Sequence, residues 1–404
     1  SLKPNYATYY NGERVQITIQ TQNLSNRFHE CENWNFSIKL VKKEDPATIL
    51  YEDQWIVESL QELTIQRFWL PIDITPGIYL LQCSAESSTG EVRNLVQGFW
   101  GYDEKLLGEG EYLTCDRDYF WRDGRPMPVV GMTYMTSDVA RKFIYLPNVA
   151  LWDQDMSLFN HIGINFIRTG IWLYWRNMMF IDGHAHEETL RALDAFILTA
   201  KQYNIEISMN LFAFTPPLWE GINPYLDPRS VAAQKRFIAA IASRHVNTKN
   251  LHWDLINEPS MFDPERIFKP GPRSNRDQFE LEAYRKWLLS RHGSIEKLRE
   301  CWDMTANEAP DFTAISPPEP EDISFFIADV TDNKKSLQWL DWCLFSMDML
   351  NVWAIQLIDT LKSFNGKQLI TIGMDEQLRA QRPSQFFAAQ VLDYTSLHSW
   401  WLMD

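Results

Sequence analysis

The sequence has few of the features that mark metal, nucleotide or membrane sites. Its five cysteines are widely spaced among 404 residues and form no Cys-x-x-Cys pair, so neither a zinc site nor a disulfide framework is indicated. No Gly-x-Gly-x-x-Gly or phosphate-loop pattern follows an apolar strand, which counts against nucleotide binding. No apolar run approaches the roughly 20 residues of a membrane-spanning helix. We therefore expect no metal, no cofactor and no contact with a membrane.

Positive charge is also scarce. The chain has 38 Lys and Arg against 53 Asp and Glu, a net charge of −15, and no local basic cluster, so binding to nucleic acid or anionic lipid is disfavoured. Aromatic residues are abundant at 14%, and their flat faces suit both large cores and the apolar faces of sugar rings. A neutral ligand is expected. Localisation and oligomeric state are left open.

The first hundred residues alternate apolar and polar side chains in short runs that turn residues separate, which is typical of β-strands. The clearest runs are residues 15–19, 34–40, 62–65 and 77–83. These runs predict an all-β, immunoglobulin-like sandwich over residues 1–105. Such a domain either binds or positions sugar, or packs against its neighbour without a site of its own.

Residues 106–404 alternate strand and helix patterns. A small hairpin is predicted at 111–115 and 119–121. After it, apolar strands are expected at 129–134, 164–168, 205–212, 251–256, 368–373 and 394–398. Helical patterns between them have one apolar face at Leu190, Leu193, Phe196, Ile197 and Ala200, and another at Leu337, Leu340, Leu344, Trp353, Leu357 and Leu361. Repeated βα units predict a parallel sheet, closed or doubly wound. Without a nucleotide-binding loop, a (β/α)₈ TIM-type barrel with about six strands present is the better interpretation.

A carboxylate follows the fourth predicted strand. The apolar run 251–256 ends at Asn257, Glu258 and Pro259, which do not continue a buried strand. In a parallel barrel this end opens onto the active-site face, so a Glu there indicates catalysis, and an Asn can bind a substrate hydroxyl. The alternative is a solvated Glu in a turn.

Further polar and aromatic residues follow other predicted strands. Arg168 ends the second strand, where it could hold a carboxylate ionised or form an ordinary ion pair. His398 ends the sixth strand and could be catalytic or structural. Other candidates for lining the site are the carboxylates Asp375 and Glu376 and the indoles Trp172, Trp175, Trp219, Trp400 and Trp401, although some of these rings will be core residues.

This layout resembles that of clan A glycoside hydrolases, the retaining TIM-barrel enzymes that include cellulases, β-mannanases and β-galactosidases. The similarity covers about residues 111–404 and is most specific in 253–259, while 291–302 resembles a helix-turn segment of β-galactosidase-like members. By that resemblance Glu258 is the general acid/base, Asn257 binds the sugar 2-hydroxyl, Arg168 supports the nucleophile, and His398 lines the site.

The sequence departs from the clan pattern at the nucleophile, a Glu that ends strand seven, because it stops at Asp404 after the sixth predicted strand. Retaining hydrolysis needs two carboxyl groups roughly 5 to 5.5 Å apart. Either the chain is part of a longer enzyme, or Asp375 or Glu376 supplies the second carboxylate. We expect a glycoside hydrolase of β-linked oligo- or polysaccharides whose catalytic pair is incomplete in this chain. The alternative is a non-catalytic carbohydrate-binding protein.

Overall fold

The computed structural model describes residues 1–22, 33–57, 63–172, 174–259, 276–318, 335–374 and 391–398. The described residues begin with eight strands: β1 (Leu2–Pro4), β2 (Thr8–Tyr9), β3 (Gln16–Gln22), β4 (Trp34–Lys42), β5 (Asp45–Val57), β6 (Leu63–Trp69), β7 (Gly77–Ser87) and β8 (Val92–Gly101). They form a three-stranded sheet in the order β1-β3-β6 and a five-stranded sheet in the order β2-β8-β7-β4-β5.

The two sheets share one cluster of buried side chains. Alternate residues of β4, at Phe36, Ile38 and Leu40, contribute to it from one sheet, and Ile17 and Ile19 contribute from the other. Because successive strand residues point to opposite faces, this alternation buries one face of each sheet. The arrangement supports the predicted sandwich, and strands β3, β4, β6 and β7 overlap its four clearest runs.

The N-terminal sheets also pack on the remainder of the chain. A short helix, α1 (Glu104–Gly108), follows β8. Trp100 of β8 is buried and donates from Nε1 to Thr199 Oγ1 at 2.8 Å. Arg191 donates to both carboxylate oxygens of Glu13 at 2.6 and 2.8 Å. Apolar contact and buried polar bonds therefore join the two parts.

The predicted hairpin is present as three short strands, β9 (Thr114–Cys115), β10 (Phe120–Arg122) and β11 (Arg125–Pro126), with β10 in the centre. Phe120 contacts the rings of Phe166 and Tyr394, at centroid distances of 6.4 and 5.0 Å. Arg122 forms an ion pair with Glu206 at the amino end of its strand. The hairpin thus covers the amino-terminal end of the parallel sheet.

The remaining elements alternate strands and helices. In chain order they are β12 (Gly131–Thr133), α2 (Val149–His161), β13 (Phe166–Gly170), β14 (Met179–Ile181), β15 (His184–Ala185), α3 (Glu187–Gln202), β16 (Glu206–Ala213), α4 (Pro228–Ala242), β17 (Leu251–Asn257), α5 (Gln278–His292), α6 (Ile295–Trp302), α7 (Lys335–Phe364), β18 (Ile370–Met374) and β19 (Ser396–Leu397). Strands β14 and β15 pair as a hairpin.

In the described ranges, six strands form one sheet in the order β12-β13-β16-β17-β18-β19, and every neighbouring pair is parallel. Each overlaps one of the six strands predicted from the sequence. The order follows the chain without a reversal, as in a barrel rather than a doubly wound sheet. Within the described part of the chain, no helix is long and apolar enough to cross a membrane.

The predicted apolar face of α3 is correct, since all five of its residues are buried. The predicted face of α7 is correct only in its second half. Trp353 and Leu357 are fully buried, but Leu337 and Leu340 are 36% and 46% exposed. The first half instead buries aromatic rings, at Trp339, Trp342 and Phe345. Larger rings remove more apolar surface from water, so they decide which side of the helix faces the core.

The segment 291–302 joins α5 to α6, with Gly293 in the left-handed conformation at a φ of 78°. Three of its side chains bond to the buried carboxylate of Asp341 on α7. Arg291 Nε donates to Asp341 Oδ1 at 2.7 Å, and Trp302 Nε1 donates to Asp341 Oδ2 at 2.9 Å. His292 Nε2 lies 2.7 Å from Asp341 Oδ2. This motif therefore fastens α5 and α6 to α7.

Candidate functional site

Arg168 lies in the middle of β13 rather than at its end as predicted, and it forms a network of charged and amide groups with residues of β17. Arg168 donates from Nε and Nη2 to Asp254 Oδ2 at 2.8 and 2.6 Å, and from Nη2 to Asn257 Oδ1 at 2.9 Å. The side chain of Asp254 is fully buried and that of Arg168 is 17% exposed. The backbone N–H of Gly373 donates to Asp254 Oδ1 at 2.9 Å. A carboxylate with both oxygens bonded holds the guanidinium in one orientation.

This network determines which groups remain available for a ligand. Because Arg168 donates to Asn257 Oδ1, the Nδ2 donors of Asn257 point away from the guanidinium. Neither Asn257 Nδ2 nor Arg168 Nη1 bonds to any residue that the structure describes. Both groups are donors, which suits hydroxyl and carboxylate oxygens.

Glu258 follows directly and is held by its backbone. Its N–H donates to Gly373 O at 2.6 Å, and its φ of 48° is in the left-handed region that side chains seldom adopt. Its Oε1 lies 2.9 Å from His398 Nδ1, and the two side chains are 16% and 12% exposed. Glu258, which follows β17, and His398, which follows β19, are therefore in contact, although 140 positions separate them in the sequence.

Gly373 on β18 leaves room for these side chains. A Cβ at this position would lie 2.4 Å from Arg168 Nη2, 2.8 Å from His398 Nε2 and 3.1 Å from Asp254 Oδ2. The first two separations are shorter than side-chain carbons tolerate. The space that a side chain would fill is occupied by the guanidinium and the imidazole, so the site requires glycine there.

Unusual backbone conformations occur at the same rim. Trp172, Phe214 and Glu258 follow β13, β16 and β17, and their φ angles are 47°, 61° and 48°. Such residues cost of order 1 to 3 kcal/mol each and persist where the surrounding structure imposes them, commonly at ligand sites. The strain therefore marks the end of the sheet that carries Glu258.

The three described tryptophans predicted to line the site are at this end, where Trp172 and Trp175 are buried and Trp219 is partly buried. Trp172 is 4% and Trp175 is 8% exposed. The rings of Trp175 and Trp219 meet edge to face at 5.4 Å, and Trp219 also contacts Phe212 and Phe237, the latter on α4. These contacts place Trp219 between a strand and a helix. Sugar stacking by these rings stays a prediction.

The remaining candidates lie outside the described residues: Asp375, Glu376, Trp400 and Trp401. Among the residues that are described, no group of three or more His, Cys, Asp and Glu side chains could hold a metal ion.

The opposite end of the sheet also contains ionisable groups. His252 of β17 is buried between the rings of Phe166 and Tyr394, at centroid distances of 5.2 and 5.7 Å. Burial, with a smaller contribution from the charge of Arg122, lowers the pKa of His252 to about 3. The imidazole is therefore neutral at pH 7, and we assign it to the core.

Sequence reasoning missed Asp254 and Gly373. The sequence could have indicated both residues. A carboxylate inside an apolar strand needs a bonding partner, and a glycine inside a strand often marks a place where another group approaches the backbone closely. The partner itself, Arg168, lies 86 residues earlier.

Comparison with known proteins agrees with this geometry. The model of glycoside hydrolase family 42, described as β-galactosidase, matches residues 232–404. The fold is similar to crystal structures of β-galactosidases from Marinomonas ef1 (17% identity, TM-score 0.52) and Rahnella sp. R3 (17% identity, TM-score 0.51). Each alignment covers 68% of this chain, and 41% and 40% of those chains, so this chain spans about two fifths of their length. No curated protein sequence matches. The predicted resemblance to clan A glycoside hydrolases is confirmed.

Proposed function

We propose that the intact protein is a retaining glycoside hydrolase that cleaves a β-linked carbohydrate, with Glu258 as its general acid/base. The observation that carries this proposal is the position of Glu258, at a barrel strand's carboxyl end, against His398 and beside the network of Arg168, Asp254 and Asn257. The family match over residues 232–404 includes all of these residues except Arg168.

The chemistry assigns a task to each group. Protonated Glu258 gives its proton to the leaving oxygen as the glycosidic bond breaks, and the resulting carboxylate later takes a proton from water. Asn257 Nδ2 donates to a sugar hydroxyl, and hydrogen bonds of this kind to the 2-hydroxyl strengthen in the transition state. The two N–H groups of Arg168 Nη1 can donate to a second carboxylate, which the mechanism requires as nucleophile.

The second carboxylate comes from one of two sources. Asp375 and Glu376 follow β18 and can be tested directly by substitution. The other source is a further strand beside β19, as the resemblance implies. Leu397 of β19 is 46% exposed, and Val130 and Met132 at the opposite edge are 52% and 41% exposed. Exposed apolar residues on both edges favour additional strands that complete an eight-stranded barrel.

We propose the domain division 1–105 and 106–404, with an immunoglobulin-like sandwich first. Its buried cluster is separate from the cluster of the parallel sheet, which supports two cores. Trp100, however, belongs to the barrel cluster, so the sandwich is docked rather than loosely tethered.

The test is hydrolysis of aryl β-glycosides by the intact protein, starting with β-galactosides and including β-mannosides and β-glucosides. Glu258→Gln should lower turnover of substrates with poor leaving groups by roughly 10²- to 10⁴-fold. The matched control is Glu282→Gln, the same change at an exposed glutamate on α5, which should leave turnover unchanged. Near-normal turnover by Glu258→Gln would refute the assignment. Saturable oligosaccharide binding without turnover would favour the non-catalytic alternative.

A further inference from the structure

His398 lies between a carboxylate and a guanidinium. Its Nδ1 is 2.9 Å from Glu258 Oε1. Its Nε2 is buried and has no hydrogen-bond partner among the described residues. A Cβ added to Gly373 would lie 2.8 Å from His398 Nε2 and 2.4 Å from Arg168 Nη2, so the imidazole and the guanidinium border the same small gap.

The guanidinium decides which ring nitrogen carries the proton. Arg168 is always charged and has donors but no acceptor, so an N–H on Nε2 would face positive charge without a bond. Asp254 Oδ2 borders the same gap, 3.1 Å from the Cβ position, but it already accepts two bonds from Arg168, and His398 Nε2 does not bond to it or to any other described residue. A lone pair on Nε2 is therefore favoured, and the proton of the neutral ring belongs on Nδ1.

We propose that His398 is a positioning residue that donates its Nδ1–H to Glu258 Oε1 and so assigns the transferable proton of Glu258 to Oε2. The lone pair of Oε1 that accepts the N–H of His398 cannot also carry the acid proton of Glu258. The Oε2–H then transfers its proton to the leaving oxygen, which keeps the electron pair of the broken glycosidic bond. This inference rests on the proposed role of Glu258.

The direct measurement is the tautomer of His398 in the intact protein. Nitrogen NMR with ¹⁵N-labelled histidine distinguishes a protonated from an unprotonated ring nitrogen, and the signal that disappears in His398→Asn identifies His398. We expect Nδ1 to be protonated and Nε2 to be bare at neutral pH. A proton on Nε2 would overturn the proposal. Because this measurement needs no turnover, it decides the point even if the protein hydrolyses no glycoside.

Kinetics of the intact protein separate positioning from mere packing. Asparagine places an amide donor near the position of Nδ1, whereas glutamine places it near Nε2. His398→Ala and His398→Gln should lower kcat by roughly 10²-fold on substrates with poor leaving groups, with KM nearly unchanged and a smaller loss on activated aryl glycosides. His398→Asn should recover about ten-fold relative to His398→Gln. Equal losses in the asparagine and glutamine variants would refute the donor role, whereas an inactive wild-type protein would refute the proposed function instead.

Discussion

Replacing Gly373 by alanine tests whether the guanidinium and imidazole fill the space beside this glycine. The new Cβ would lie 2.4 Å from Arg168 Nη2, so contact at an ordinary distance requires a displacement of about 1 Å. Arg168 Nη2 is bonded at 2.6 and 2.9 Å, and lengthening either bond by that amount leaves no hydrogen bond. Asp254 is fully buried, so its charge would lose part of its compensation.

Breaking a buried ion pair outright costs about 3 to 5 kcal/mol, and overpacking that the backbone partly absorbs costs about 1 to 3. We therefore expect Gly373→Ala to lower the free energy of unfolding by about 2 to 4 kcal/mol, measured by urea denaturation. A 1 Å shift near the reacting groups should also lower kcat/KM by about 10²-fold. Gly366→Ala is the control, because a Cβ there meets nothing within 4 Å. If both variants unfold and turn over alike, the packing argument is wrong.

Three further predictions concern stability away from Glu258. Asp341→Asn should destabilise by about 2 to 4 kcal/mol in urea denaturation, because an amide cannot accept the three bonds that fasten α5 and α6. Asp227→Ala removes the N-cap of α4 and should cost about 1 to 2 kcal/mol, with a smaller loss near pH 2 because the bond from Arg229 lowers the pKa of Asp227 to about 2. His252 is protonated near pH 6.5 in the unfolded state but only near its pKa of about 3 in the folded state. The free energy of unfolding should therefore fall as the pH drops from about 6.5 to about 3, by up to about 1.4 kcal/mol per pH unit. His252→Gln should flatten that pH dependence, and identical slopes in the variant and the wild type would contradict this.

The elements of this fold could be predicted because each leaves a local pattern. Apolar runs and their polar ends located the six parallel strands that the structure describes and placed Glu258 at the end of the fourth. The side of α7 that faces the core was not predictable in the first half of the helix, because both leucines and aromatic residues occur there. Packing against α5 and α6 buries the aromatic rings and leaves the leucines exposed. The contacts within the site could not be predicted for a similar reason, because Arg168, Glu258 and His398 meet only through strand pairing.

The pairing of β17 with β18 explains how one strand delivers Asp254 and Asn257 to the same guanidinium. Residues three apart in a regular strand point to opposite faces, yet both of these side chains bond Arg168 Nη2. The register between the two strands shifts between Asp254 and Asn257, as in a β-bulge, and such an irregularity reorients the residues beyond it. Glu258 comes directly after this shift. A regular strand of the same composition would therefore turn Asn257 away from Arg168, so the irregularity is part of the site, and no apolar pattern in the sequence reveals it.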